Sequence, residues 1–271
     1  MIHFDHTQYR HTKTGEVILS YDEIEEFTEQ ILKEYKPEAF TTPQALDCDD
    51  FIEGYLGAIV DYQDIYTRTA EETILGCAIF SEQPLAVFDR EHMCKSEILC
   101  APKTVVLDNS LLGKRQVQHN CTGFHEGGHL VIHPYLFLPY EHQQTLHFYL
   151  EQNICCRRSG IETMNASTPL VTAEQWREWQ ATTFAVTLAL NRHGLKIATL
   201  DLFRKHGIWS DQLITDEDDE KRHLADHTIP EELHNIFDMS KEAIRYRLEK
   251  VGLYTTQKKF DWKNAQLGLP F

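Results

Sequence analysis

The segment His125-Glu126-Gly127-Gly128-His129 constrains this chain more than any other stretch. Histidines four residues apart lie one turn apart on the same face of a helix, so both imidazoles can reach a single ion. The segment therefore asks for a helix, and a helical pattern extends over 113–133, with Pro134 and Pro139 to end it. It also asks that helix to accept two consecutive glycines in its interior, each costing about 1 kcal/mol relative to alanine. A helix serving only as scaffold gains nothing from Gly127-Gly128. A helix whose backbone is closely approached by another element does, so a packing partner is expected against these two residues.

The spacing points to metal chemistry. Neutral imidazole suits zinc, and a catalytic zinc site has three protein ligands and one open position. Glu126 lies about 100° around the helix from His125. From there it can reach a water at the metal without ligating, take its proton and pass it to a leaving amine. His125 and His129 are thus the first two candidate ligands and Glu126 the candidate general base. A metzincin arrangement would need glycine at 132 and histidine at 135. The chain has Ile132 and Tyr135, which exclude it. The third ligand is then expected to be a glutamate from a later helix. Glu178 sits in a strongly helical stretch where Trp179, Phe184 and Leu188 could pack against the motif helix; Glu151, Glu162 and Glu174 compete with it. His133 continues the four-residue spacing and reads as a supporting or core histidine. Cys121, one turn before His125, reads as a small buried apolar residue. Tyr135, Tyr140, His142 and His147 are candidates to stabilise an oxyanion, and spacing does not choose among them.

Around the motif the chain alternates in character. Ser20 and Glu23 have capping-box spacing, and Ile24, Phe27, Ile31, Leu32 and Tyr35 share a helical face, which predicts a helix over 21–35. A shorter helix is expected over 47–56, stopping near Gly57. The runs Ala58–Tyr62, Thr73–Phe80, Leu85–Asp89 and Thr104–Asp108 predict a small, mostly antiparallel sheet. Residues 134–170 read as irregular, and a helix is expected from Ala173 to Arg192, closing near Gly194. Asp211–His227 reads as a charged, solvated loop. Two short helices follow over Pro230–Leu253, with Ser240 placed to cap the second. A division into 1–200 and 201–271 is expected.

Composition narrows the classes. Hydrophobic residues make up 42% of the 271, enough for a real core. A net charge of −16 works against binding nucleic acid or an anionic membrane surface, so direct nucleic-acid binding is not expected. No apolar run of about 18 residues and no signal-like start occur, which predicts no membrane span and a cytoplasmic protein. Seven cysteines, an odd number without a CxxC pair, point away from a disulfide framework or a Cys-type structural zinc site.

The stretch Phe124-His-Glu-Gly-Gly-His-Leu-Val-Ile-His133 resembles the ImmA/IrrE family of bacterial and phage zinc metallo-endopeptidases, whose pattern reads roughly AHELGHxxLH. Glu178-Trp-Gln-Ala-Thr-Thr-Phe184-Ala185 resembles that family's second motif, E-x-x-A-N-x-F-A, and the match assigns the third zinc ligand to Glu178. Cys155-Cys156-Arg157-Arg158 resembles a long-insert branch. Met239-Ser240-Lys241-Glu242-Ala243 with Arg247-Leu248 and Gly252-Leu253 resembles the helix-turn-helix-like C-terminal element. The similarity runs from about residue 20 to 253. It implies an α+β fold: a zincin-like core of small sheet, HExxH helix and Glu-bearing helix, with N-terminal helices and the C-terminal element. It also implies cleavage of a protein partner, an Xre-type repressor of the kind often encoded beside such enzymes in mobile elements. Three departures bear on local packing and activity: Gly127 replaces a larger residue, Thr182 replaces asparagine, and Leu188-Ala189-Leu190-Asn191 lacks the usual helix-ending proline. Two other readings compete. One is a non-catalytic, zinc-containing regulator acting through partner or DNA binding by its C-terminal region. The other is a zinc hydrolase acting on a non-peptide amide.

Overall fold

Ser20 opens the first long helix, α1 (Tyr21–Tyr35), by the capping box its spacing predicts: Glu23 N–H donates to Ser20 Oγ at 3.2 Å, and Ser20 N–H donates to the Glu23 carboxylate at 2.7 Å. A two-stranded ribbon, β1 (Arg10–His11) and β2 (Val17–Ile18), precedes it. The structure is a computed structural model and describes residues 2–13, 15–67, 73–113, 116–137, 153–157 and 172–266. The chain is mixed α+β and divides into two compact units, Met1–Tyr35 with Asp47–Leu188, and Lys36–Leu46 with Ala189–Phe271. The expected boundary at 200 instead falls within a helix of the second unit.

In the first unit, a π-helical segment (Asp50–Tyr55) leads to a four-stranded sheet in the order β3-β7-β4-β8. Its strands are β3 (Ile59–Gln63), β4 (Ile74–Ile79), β7 (Thr104–Asp108) and β8 (Asn153–Arg157). β3 and β7 run parallel; β4 is antiparallel to both of its neighbours. A separate hairpin joins β5 (Gln83–Asp89) to β6 (Cys94–Cys100). Leu75, Cys77, Ala78, Ile79, Val105, Val106 and Leu107 are all fully buried. Such unbroken apolar runs belong to strands covered on both faces. Alternation then assigns the covers. Cys77, Ile79 and Val106 pack with Leu85 and Cys100 of the hairpin. Gly76 lies against Glu126 and Thr122 of the next helix, α2 (Gln116–Ile132). α2 thus packs across β4 and β7.

β6 and β8 were not expected. The β6 sequence, Cys94-Lys-Ser-Glu-Ile-Leu-Cys100, is largely exposed and has no clean apolar alternation; it is a strand because β5 lends it a partner along its whole length. β8 lies in the stretch read as irregular and takes its order from β4. Cys77 is disulfide-bonded, so the odd cysteine count does not mean that every cysteine stays reduced.

The unit closes with α3 (Ala173–Ala189). Thr187 on α3 meets Thr28 on α1 at 3.0 Å in a fully buried contact. The helix stops at Ala189 without a proline because Asn191 begins another: its Oδ1 accepts from Gly194 N–H at 2.8 Å and caps α4 (Arg192–Lys205). The expected single helix to Arg192 is therefore two helices, and Gly194 opens the second. A β-carbon on Gly194 would fall 2.7 Å from the Ala39 carbonyl oxygen, so that first turn has room only for glycine.

The second unit corrects the loop expected over Asp211–His227. β9 (Leu213–Ile214) pairs with β10 (Tyr254–Thr255), and α5 (Asp219–His223) runs through a π-turn into α6 (Ile229–Phe237). The charge run is a helix start. Asp218 accepts from Lys221 N–H at 2.7 Å, acids fill the first turn, bases fill the last, and Glu217 pairs with Lys221 at 2.6 Å. That order complements the helix dipole. A three-residue turn, with Asp238 in the left-handed region, leads to α7 (Lys241–Lys250), capped as expected by Ser240. Arg247 is fully buried, its Nε donating to the Leu190 carbonyl at 3.0 Å. A last helix, α8 (Gln257–Gln266), follows. No helix among the described residues is long and apolar enough to cross a membrane.

Candidate metal centre

The two glycines of α2 are occupied from outside, as expected of them. A β-carbon on Gly127 would sit 3.2 Å from the Phe51 ring, and one on Gly128 would sit 3.0 Å from the Phe184 ring and 3.2 Å from the Ala181 carbonyl oxygen. The 50–55 segment and α3 thus both press onto the α2 backbone, and the contact with α3 sets the site. Phe184 makes this packing; Leu188 is also fully buried, and Trp179 is half-buried and lies edge-on to Trp176.

At that distance α3 brings Glu178 to the two histidines. His125 Nε2 and His129 Nε2 are 3.0 Å apart; the Glu178 carboxylate lies 3.2 Å from the first and 3.4 Å from the second. These three groups could hold a metal ion. Of the competing glutamates, Glu174 is exposed in the first turn of α3, and Glu151 and Glu162 lie outside the described residues. Tyr140, His142 and His147 also lie outside them. Tyr135 is elsewhere engaged: its hydroxyl accepts from Val17 N–H at 2.8 Å and its ring stacks on His6.

The far nitrogen of each imidazole is held by a polar partner that fixes its tautomer. The Thr182 hydroxyl spends its one hydrogen on the Glu178 carbonyl at 2.7 Å, so at 3.1 Å from His125 Nδ1 it accepts. His125 therefore carries its proton on Nδ1 and offers a lone pair at Nε2. His129 is set by a longer relay. Gln180 Nε2 donates to the Val17 carbonyl at 2.7 Å, which turns Gln180 Oε1 towards His133 Nε2 at 2.9 Å. His133 Nε2 donates, leaving its Nδ1 to accept from His129 Nδ1 at 3.0 Å. His129 Nε2 is then also left with its lone pair. His133 is thus a supporting histidine. Such partners orient metal-binding imidazoles and raise their basicity.

Electrostatics agree with these roles. Burial, aided by the neighbouring His125, pushes His129 down to about 4, so its ring is neutral near pH 7. Burial first, then His129, holds His133 well below its ordinary value. Glu178 is 22% exposed; burial alone would raise its carboxyl, but the His125 and His129 rings beside it outweigh that and hold it well below the usual carboxylate range. Glu178 is therefore an anion beside a neutral His129, a donor set suited to a dication.

Glu126 is fully buried on the sheet side of α2. A β-carbon on Gly76 would fall 2.8 Å from Glu126 Cγ and 2.9 Å from its Oε1. Gly76, Thr182 and Gln180 are the residues that reading the sequence did not assign a role. A glycine inside an apolar strand, which often marks close approach, was the available signal for the first. In the sequence Thr182 stands out only as a departure from a family motif, and Gln180 only as a neighbour of Glu178. Cys121, expected to be buried, is half-buried.

Thr182→Val keeps the shape and removes the acceptor at His125 Nδ1. Metal affinity is expected to fall about 10- to 100-fold, read by competition with a chromophoric chelator; an unchanged affinity would remove Thr182 from the account. No family model matches the chain, and no curated protein matches it.

Proposed function

We propose that this chain is a zinc-dependent endopeptidase of the ImmA/IrrE type with a zincin-like core, and that it cleaves a protein partner, a helix-turn-helix repressor of the Xre class, in the cytoplasm. The observation that carries the reading is the convergence of two correctly tautomerised imidazoles and one carboxylate beside a buried glutamate that is not needed as a ligand. Zinc bound to nitrogen and oxygen at about 2.0–2.1 Å places neighbouring tetrahedral ligand atoms about 3.3 Å apart. The three separations here, 3.0, 3.2 and 3.4 Å, fit that spacing. With three protein ligands a fourth position stays open for substrate.

Zinc in this place supplies Lewis acidity, which makes a water nucleophilic at neutral pH. Glu126 takes the proton of the attacking water on its carboxylate and returns it to the leaving nitrogen. His125, His129 and Glu178 hold position. Thr182 and the His133–Gln180 pair keep the imidazoles from turning. A site that was only structural would have no use for Glu126, which weighs against the non-catalytic reading. The partner rests on the resemblance of both zinc motifs and of the Met239–Leu253 element to the family.

The test incubates the zinc-loaded protein with a proteome-derived peptide library, reads new N-termini by mass spectrometry, and repeats the digestion on candidate Xre-type repressors. Cleavage is expected only with metal present. A metal-loaded protein that cuts neither set would remove the peptidase reading. Gly76→Ala gives a finer test. The added carbon displaces the Glu126 carboxylate without touching the three ligands. Metal content is expected to hold while hydrolysis falls about 100-fold; wild-type turnover would show that the seat of Glu126 does not matter.

A further inference from the structure

A second group of ligand-type side chains gathers on the first unit. Cys48 and Asp49 stand just before the 50–55 segment, His119 lies in the first turns of α2, and Tyr62 is on β3. Cys48 and His119 are buried, and Asp49 is partly exposed. His119 Nε2 lies 3.3 Å from Asp49 Oδ1, and Cys48 Sγ lies 3.5 Å from the same oxygen. Cys48 Sγ is 4.0 Å from His119 Nε2 and 3.6 Å from its Nδ1. Tetrahedral zinc, with sulfur at about 2.3 Å and nitrogen or oxygen at about 2.0–2.1 Å, sets its ligand atoms about 3.3 Å apart for N and O and about 3.5 Å apart when one is S. Two edges already have those lengths, and a small turn of the His119 ring closes the third.

We propose that Cys48, Asp49 and His119 bind a second transition-metal ion, zinc by the character of the donors, at a site separate from the His125, His129 and Glu178 centre. One thiolate, one imidazole and one carboxylate form a mixed set that zinc accepts and that magnesium or calcium does not. The outer partners are present. Tyr62 donates to Asp49 Oδ2 at 2.6 Å, which aims Oδ1 at the site, and its ring stacks on His119. The Gln116 amide nitrogen lies 3.4 Å from His119 Nδ1 and donates to Asn120 Oδ1 at 3.2 Å. Binding replaces the Cys48 thiol proton with the metal and releases it to solvent. His119 Nε2–H donates to the Tyr62 hydroxyl at 2.7 Å, so on binding that hydroxyl gives way to the ion while keeping Asp49 Oδ2, and the ring carries its proton on Nδ1 instead.

The ion would act as a brace. Cys48 packs against Gly123, where a β-carbon would meet Cys48 Cβ at 2.8 Å, and the adjacent Phe51 and Ile52 are the residues that press on Gly127. Fixing Cys48-Asp49 to His119 therefore fixes the support beneath the motif helix. The three ligands come from two distant segments without a repeated spacing, so no sequence pattern announces them.

Cobalt(II) tests this on the full-length protein. The first centre contains no thiol, so a sulfur-to-cobalt charge-transfer band reports the second site alone, whatever becomes of the peptidase reading. Wild type is expected to bind two equivalents and to show the band. Cys48→Ser should lose the band and one equivalent while keeping the other. Cys94→Ser, which changes an exposed thiol, should keep both. Absence of the band in wild type, or its survival in Cys48→Ser, overturns the proposal. If Cys48→Ser does not fold, Asp49→Asn decides in its place: retention of two equivalents overturns the site, and loss of one supports it.

Discussion

Glu126→Gln is expected to leave metal content at the wild-type level and to lower peptide hydrolysis by about 100- to 10,000-fold, the range that a positioned general base supplies. Glutamine has nearly the same volume, so the buried seat against Gly76 stays filled. It cannot take a proton from water at neutral pH. Because Glu126 is not among the three converging groups, the metal site itself is untouched. The measurement pairs elemental analysis with the peptide-library digestion, both on the same preparation. Loss of metal would make Glu126 a ligand rather than a base. Retained cleavage would remove it from the chemistry. A non-catalytic regulator predicts no difference between wild type and variant, and a hydrolase of non-peptide amides predicts no peptide cleavage by either.

Glu178→Ala is expected to cost one equivalent of metal relative to wild type and to abolish hydrolysis. The carboxylate is the anionic member of the donor set, and without it two imidazoles remain. Removing an outer partner of a ligand lowers affinity about 10- to 100-fold, and removing the ligand should exceed that. The fold should survive, because α3 is held by Phe184 and Leu188, which are fully buried, and by the Thr28–Thr187 contact, none of which involves Glu178. Circular dichroism and the urea midpoint would show this. Full metal retention in a folded variant would require another third ligand.

How much could be read in advance differed by kind of interaction. Local rules worked where the controlling atoms lie within a turn of one another. The Ser20–Glu23 capping box, the Ser240 cap, the span of α1 and four strands of the sheets were legible for that reason. At Asp211–His227 the same local logic misleads. An acidic run followed by a basic one reads as a solvated loop, yet Asp218 caps a helix whose charges follow its dipole. Gly194 reads as an end because glycine commonly closes helices, and it instead permits close approach of the Ala39 carbonyl. β6 and β8 lacked a signal of their own, since each depends on a neighbouring strand for its hydrogen bonds.

The sequence by itself determined the motif helix, the shared face of His125 and His129, and the need for something to press on Gly127-Gly128. These follow from helix geometry and from the energetic cost of glycine, which hold before any folding partner is known. Only the tertiary structure shows how Glu178 arrives. Spacing left four candidates, and the close packing of Phe184 on Gly128 brings α3 near enough for Glu178 to reach both rings. It also decided the protonation of those rings, through Thr182, His133 and Gln180, and the seat of Glu126, through Gly76. Those outcomes depend on hydrogen bonds and contacts between segments tens of residues apart, which no local pattern encodes.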